Sequence, residues 1–316
     1  MNTARASLRI LVAAPRGFCA GVARAVAIVE QALTRFGGPV YVRHEIVHNR
    51  FVVEQLAAKG AVFVEDLAEV PANGVVVFSA HGVAQTVRRE AVERRLNVLD
   101  ATCPLVTKVH REAVRHASAG RHVLLIGHGG HPEVIGTLGQ LPAHAITLVP
   151  SAAEAKRIAP PRDQGLAYVM QTTLSVDEAA EIVTVLRQRF PAIAGPPSDD
   201  ICYATTNRQR AVKQMASRVD ALLVVGAPNS SNSQRLVETA RAAGCRHARL
   251  IGRAAEIDWR LLQGVRRLGL TAGASAPEIL ILEVLAACRA RYDVTVENFS
   301  VIEEDVHFKL PHALST

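Results

Sequence analysis

The chain is poor in aromatic residues, which make up 4% of its 316 positions. No strip combines aromatic with basic side chains, which argues against a surface built to stack nucleic-acid bases. Its core must come from Ala, Val, Ile and Leu, the composition of helix-covered parallel sheets. No apolar run reaches the ~18 residues of a membrane span, so no membrane insertion is expected. The start, MNTARASLRI, lacks the apolar stretch of a secretory signal, so a cytoplasmic protein is expected. There is no CxxC pair and no compact Cys/His cluster, which excludes a zinc ribbon or a ferredoxin. No run of five basic residues occurs, and neither GxGxxG nor a Walker A loop stands in a strand–helix setting.

What is present describes a packed globular protein. Hydrophobic residues make up 49% and charged residues 21%, in a length that suits two or three domains. The formal net charge of +7 suits anionic metabolites, nucleic acid or an acidic protein partner. Loops rich in Gly, Ser and His favour a small anionic substrate, and no nucleic acid.

One unit recurs: a short apolar run, a polar or glycine-rich loop, then a helix-period segment. LRILVAAP leads through GFCAG to VARAVAIVEQAL, and GVVVFSA through HGVAQ to TVRREAVERR. HVLLIG, LAYVMQ, DALLVVGA and LGLTAG open four more such units. After Cys19, the residues Val22, Val26, Val29 and Leu33 share one helical face. Val75-Val76-Val77-Phe78 and Leu222-Leu223-Val224-Val225 read as strands buried on both faces. Strand–loop–helix repetition predicts α/β layers with parallel sheets, whose ligand loops follow the strands' carboxyl ends. AIAGPPSDD (192–200) is the best linker, and Asp100-Ala101-Thr102 a second seam. PLPAHAITLVP and PPRDQG read as turns, and the last twenty residues as a strand and a tail.

Of the five cysteines, Cys19, Cys103 and Cys202 each precede a helix-period segment. A thiol there feels the positive end of the helix dipole and is pushed toward thiolate. Pro104 fits the first helical position, which makes Cys103 an N-cap. Three such thiolates converging would hold a metal with one position left open; each taken singly could instead be a small buried apolar residue. Cys245 and Cys288 fall in helix patterns and read as core. His48, His81, His128 and His131 lie in or beside loops, where imidazoles donate to phosphate, relay protons or simply cap helices. His44, at helical spacing from His48, competes for its role. Glu133 is either a helix-dipole complement or a proton donor. QTTLS (171–175), PNSSNS (228–233) and GASAP (273–277) are either ordinary N-caps or anion sites.

Taken together, PRGFCAGVARA, VRHEIVHN, FSAHGV, DATCPLV, GHGGHPEV, QTTLSVDE, ICYATTNRQ, NSSNS and TAGASAPE closely resemble the LytB/IspH family of 4-hydroxy-3-methylbut-2-enyl diphosphate reductases. The match runs in order from about residue 8 to about residue 300. The resemblance implies one 4Fe–4S cluster per chain, held by Cys19, Cys103 and Cys202, with the fourth iron open to substrate. It implies an α/β fold of three similar α/β domains in a pseudo-threefold (trefoil) arrangement around that cluster. These would be residues 21–102, 103–199, and 8–20 with 200–300, followed by a tail at 301–316. The diphosphate would be held by His48, His81, Ser230, Ser231, Asn232 and Ser275. His131, Thr172 and Glu133 would orient the substrate hydroxyl and handle protons. The implied reaction is a two-electron reductive dehydroxylation giving isopentenyl and dimethylallyl diphosphates. An acidic ferredoxin- or flavodoxin-type carrier would supply the electrons. Two rivals stay open: a redox-neutral cluster lyase or synthase, of which quinolinate synthase is an example, and a non-catalytic phosphometabolite-binding protein.

Overall fold

The computed structural model describes residues 5–161 and 164–314. In chain order, β1 (Ser7–Ala14) is followed by α1 (Ala20–Phe36), β2 (Val40–Arg43), α2 (Arg50–Ala58) and β3 (Ala61–Val64). Next come β4 (Val75–Phe78), α3 (Gln85–Glu93), β5 (Asn97–Asp100), α4 (Pro104–Ser118), β6 (Arg121–Ile126) and α5 (Pro132–Leu138). The middle continues with β7 (Ile146–Val149), α6 (Ala152–Arg157), β8 (Gly165–Met170) and α7 (Val176–Arg189). The last part holds α8 (Tyr203–Ala216), β9 (Ala221–Val225), α9 (Ser231–Ala242), β10 (Ala248–Ile251), β11 (Arg267–Ala272), α10 (Glu278–Arg291) and β12 (Asp293–Ser300).

The strands form three sheets, ordered β10-β9-β11-β1-β12, β3-β2-β4-β5 and β7-β6-β8. Every pairing between these strands is parallel. The α/β class with parallel sheets is therefore as the sequence predicts. All five residues of β9 are buried, as its unbroken apolar run requires of a strand covered on both faces. β12 is mostly exposed and carries Asp293 and Glu297, charges that suit an edge strand.

Internal contacts divide the chain into two units. The first comprises the chain up to Cys19, His48–Val52 and Tyr203–Val306, and contains the five-stranded sheet. Leu8, Ile10 and Val12 pack with α10 residues on one face of that sheet. Leu11 and Ala13 pack with residues of α8 and α9 on the other. The second comprises Ala20–Val47, Val53–Cys202 and the chain from His307, and contains the other two sheets.

Two local readings change. PLPAHAITLVP is not all turn, because Ile146–Val149 pair with β6 as the strand β7. Its four residues are too few for periodicity to separate from a turn. The final strand begins at Asp293, and after Ser300 the described tail holds only a short 3₁₀ turn at His312–Leu314. Arg162 and Asp163 of PPRDQG, and Ser315 and Thr316 of the tail, lie outside the described residues. No helix among the described residues is long and apolar enough to cross a membrane.

Candidate active site

Cys19, Cys103 and Cys202 each stand immediately before the first residue of a helix, α1, α4 and α8 respectively. These helices run for 17, 15 and 14 residues, long enough for a developed dipole. Cys103 is the N-cap of α4, and Pro104 takes the first helical position. No strand leads directly into Cys202: after α7 the chain reaches it through residues 192–200, so the strand–loop–helix unit is incomplete there. None of the five cysteines is in a disulfide. Cys19, Cys103 and Cys202 are partly exposed, whereas Cys245 and Cys288 are buried. Burial pushes the Cys288 thiol up to about 11 and raises that of Cys245, so both are inert core residues.

In the second unit the candidate residues form one continuous chain of contacts. The Cys103 N–H donates to the Ala80 carbonyl at 2.9 Å. The neighbouring His81 ring meets His131 edge-to-face, with centroids 5.8 Å apart. His131 caps α5, its Nδ1 accepting the Glu133 N–H at 3.1 Å. A neutral His131 therefore carries its proton on Nε2. The Glu133 carboxylate accepts the Thr172 N–H at 2.6 Å on Oε1 and the Thr172 hydroxyl at 3.0 Å on Oε2. The Thr172 carbonyl in turn accepts the Cys202 N–H at 3.0 Å. Six of the sequence-derived candidates are thus linked from one cysteine to another.

Glu133 is the electrostatic anomaly of this chain. It is buried, and loss of solvent pushes its carboxyl up to about 7. The two Thr172 hydrogen bonds pull it down and the charge of Asp200 pushes it further up. A carboxylic acid poised near neutrality can deliver and recover a proton at physiological pH. The helix-dipole reading alone does not account for this burial.

In the first unit the remaining candidates are also joined. The Cys19 N–H donates to the Ala274 carbonyl at 3.2 Å, and the Ala274 N–H donates to Asn232 Oδ1 at 2.8 Å. The Ser275 hydroxyl donates to the His48 carbonyl at 2.8 Å, and the Asn229 amide nitrogen lies 3.4 Å from His48 Nδ1. Ser230 caps α9, and Ser231 is the first residue of that helix. The Ser233 hydroxyl bonds Ser230 Oγ at 3.1 Å. A Cβ on Gly226 or Gly273 would stand 2.2 or 2.1 Å from Ser233 Oγ, so only glycine admits this loop against the sheet. The resulting cluster of hydroxyls, amides and helix N–H groups has the chemistry of an anion cradle.

His44 does not compete with His48. It sits at positive φ (58°), outside any helix, and pairs with Glu65 at 2.5 Å. His128 is held by its backbone N–H on Gln171 Oε1 and lies 3.5 Å from Glu178.

Two residues escaped sequence reasoning. Arg208, on α8, is almost wholly buried; its guanidinium donates to the Gly17 carbonyl at 2.8 and 3.2 Å and to Glu304 at 3.0 and 3.2 Å. It fixes the backbone two residues before Cys19. Asp200, two residues before Cys202, accepts the Met170 N–H at 2.9 Å and lies 3.3 Å from Lys108 Nζ. Burial raises its carboxyl, opposed by these two partners.

Neither unit by itself assembles three or more metal-ligating side chains among the described residues. The donor chemistry nevertheless fits an iron–sulfur group. Three reduced, partly exposed thiols stand at the positive ends of long helices, and the other two cysteines are excluded by burial.

Fold and site together define a class: an α/β enzyme of parallel sheets whose strand-to-helix loops carry thiols, imidazoles and one neutralisable carboxyl. The comparisons make this specific. The sequence model of the family described as LytB protein matches residues 10–289. A Rhodopseudomonas palustris protein named 4-hydroxy-3-methylbut-2-enyl diphosphate reductase 2 is 58% identical over 312 residues, 98% of each chain. A Paracoccus denitrificans protein named 4-hydroxy-3-methylbut-2-enyl diphosphate reductase is 59% identical over 308 residues, 97% of each. The solved E-1-hydroxy-2-methyl-but-2-enyl-4-diphosphate reductase of Plasmodium falciparum superposes with a TM-score of 0.94 at 38% identity, covering 98% of this chain and 97% of that one. The chain belongs to the LytB protein family.

Proposed function

We propose that this chain is a 4-hydroxy-3-methylbut-2-enyl diphosphate reductase. In this reading it holds one 4Fe–4S cluster on Cys19, Cys103 and Cys202, works in the cytoplasm, and draws electrons from an acidic ferredoxin- or flavodoxin-type carrier. The three α/β portions of the chain would group about the cluster in the trefoil that the family implies. The net reaction consumes the allylic alcohol, two electrons and two protons, and releases water with isopentenyl or dimethylallyl diphosphate. A solved relative described as the terminal enzyme of the non-mevalonate pathway, with TM-score 0.65 and 31% identity, covers 90% of this chain and 99% of its own. The observation that carries the reading is the buried Glu133–Thr172 pair, joined to the Cys202 loop by a backbone hydrogen bond and to the Cys103 loop through the His131 and His81 rings.

When bound, the cluster supplies electrons and an open iron that makes hydroxide a tolerable leaving group. The protein's share is binding, orientation and protons. The dipoles of α1, α4 and α8 favour the anionic cluster at their N-termini. His48, His81, Ser230, Ser231, Asn232 and Ser275 would hold the diphosphate, whose binding energy is realised away from the reacting carbon. Thr172 Oγ1 orients the substrate hydroxyl, and Glu133, its carboxyl poised near neutrality, delivers a proton through it. His131, which carries its proton on Nε2 when neutral, would donate to the same region.

Iron and sulfide analysis of anaerobically purified protein, with turnover of the allylic diphosphate in the presence and absence of a reductant, tests this. Iron, sulfide and reductant-dependent turnover are expected. Cys19→Ser, Cys103→Ser and Cys202→Ser should each lose the visible absorbance of the cluster, while Cys245→Ser and Cys288→Ser keep it. Turnover without reductant would identify a redox-neutral enzyme instead. Protein that contains neither iron nor sulfide would leave only the binding function of the anion cradle.

A further inference from the structure

We propose that the groove between α3 and α4 is the docking surface for the acidic one-electron carrier, and that α4 connects that surface to the thiol of Cys103. This rests on the reductase reading above.

Two helix faces make the groove. Gln85, Arg88, Arg89 and Val92 recur on α3 at i, i+3, i+4 and i+7; Thr107, His110, Arg111 and Val114 recur at the same spacing on α4. Each face runs from a polar group through arginine, paired on α4 with the neutral His110, to an exposed valine. Between them lies a groove of ≈ 540 Å³, walled on the α3 side by Gln85 and Arg88 and also by Asp100 and Gln140; Arg89 and Val92 line the adjoining hollow, which shares Arg88 with the groove.

Charge and apolar surface are combined here as a transient electron-transfer partner requires. Val92 is 76% exposed and Val114 38%, although neither contributes to the core. Arg89 and Arg111 are exposed and make no ion pair among the described residues. The other cations are committed locally: Arg88 to Asp100 at 2.6 Å, and Arg115 to Glu112. Glu93 beside Val92 is the acidic group at the outer edge of this surface. His110 adds no charge, because burial and the nearby Arg88 push its imidazole down to about 4. Two uncommitted cations around exposed valines match an acidic rim around an apolar centre. That pattern steers encounter while keeping the complex small and short-lived.

The groove also has a direct connection to the proposed redox centre. Cys103 caps α4, and its carbonyl accepts the Thr107 N–H at 2.9 Å. At 1.5 Å of rise per residue, Thr107 lies about 6 Å and Arg111 about 12 Å along the helix from Cys103. A carrier seated in the groove therefore stands within a few helical turns of a cluster ligand. A nucleic-acid duplex is the rival occupant of a basic groove, but no Phe, Tyr or Trp lines this one.

The test uses holoenzyme bearing the paired charge reversal R89E/R111E. Reduction is driven either by a strongly acidic flavodoxin or by dithionite-reduced methyl viologen, a small dye that needs no docking. At low salt the flavodoxin-driven kcat/KM should fall ~10-fold or more, within the range of electrostatic steering, and the deficit should close as salt screens the charges. Dye-driven turnover and the cluster spectrum should not change, and R89K/R111K should match wild type. An unchanged flavodoxin-driven rate at low salt overturns the proposal. So does an unchanged rate together with lost affinity for a DNA duplex, which would make the groove a nucleic-acid surface. If the double variant loses its spectrum, Val92→Glu replaces it, and the same two results decide. A wild type that fails to turn over even with the dye refutes the reductase reading and this surface's role with it.

Discussion

Replacing Glu133 with Gln separates the charge of this residue from its shape. Gln Oε1 can still accept the Thr172 N–H, and the rotatable Thr172 hydroxyl can accept from the new amide. The hydrogen-bond pattern survives while the ionisation is lost. Folded Glu133 keeps its proton up to about pH 7, whereas the ordinary value is 4.5. Between those values the folded state binds more protons than the unfolded state, so this residue's contribution to stability falls as pH rises through that window. Above about pH 7 the loss is complete and flat. At 1.36 kcal/mol per pK unit the shift corresponds to about 3 kcal/mol of destabilisation by the ionised, buried carboxylate. Glu133→Gln should therefore equal wild type in stability near pH 4.5 and exceed it by up to about 3 kcal/mol above pH 7. Urea unfolding of cluster-loaded protein across that range reads the difference. Turnover should move the other way: the variant keeps its cluster spectrum and substrate affinity but loses catalysis at every pH. Parallel stability curves for the two proteins would show that Glu133 is not held neutral. Normal turnover by the variant would end its assignment as proton donor.

Arg208→Ala leaves Glu304 and the Gly17 carbonyl without their buried partner, which should destabilise the first unit by about 3–5 kcal/mol, read by thermal unfolding. Arg208→Lys, with one point charge in place of the planar fork, should recover only part of that. Gly273→Ala puts a Cβ 2.1 Å from Ser233 Oγ and so displaces the Ser230–Ser233 pair. If one charge-assisted bond to the diphosphate is lost with it, about 1.5–3 kcal/mol, KM should rise roughly tenfold to a hundredfold. The cluster spectrum should stay unchanged; an unaltered KM would place the diphosphate elsewhere.

Most of the architecture could be read from local pattern. β1, β4, β6, β8, β9 and β11 are the apolar runs that open the six repeated units, and helices follow them. The strands that escaped notice, β2, β3, β5, β7 and β10, have only four residues each, too few for alternation to rise above composition. The helix starts after Cys19, Cys103 and Cys202 were legible because α1, α4 and α8 are long and periodic. What the sequence concealed is burial of charge. Arg208 sits in a helix dense with polar residues and looks solvated; its partners come from Gly17 and from Glu304, 96 residues away. Glu133 looks like a dipole complement in the first turn of α5 until Thr172, 39 residues on, closes over it. Local pattern carries no information about pairings at such separation, because tertiary packing alone creates them.

The five-stranded sheet has a consequence for synthesis. β1, near the amino end, lies between β11 and β12, pairing with β12 from Ser7↔Asp293 to Ala14↔Ser300. Arg208 and Ala274, which fix the backbone around Cys19, likewise follow it by most of the chain. The ribosome therefore releases the strands of the second unit long before the first strand made can find either neighbour. Closing so large a loop is slow and entropically unfavourable. An incomplete chain would present Cys103 at the end of a formed sheet while Cys19 still lacked its place. The earliest thiol to leave the ribosome would be among the last to be positioned, so the proposed three-cysteine cluster would be acquired only on a completed polypeptide.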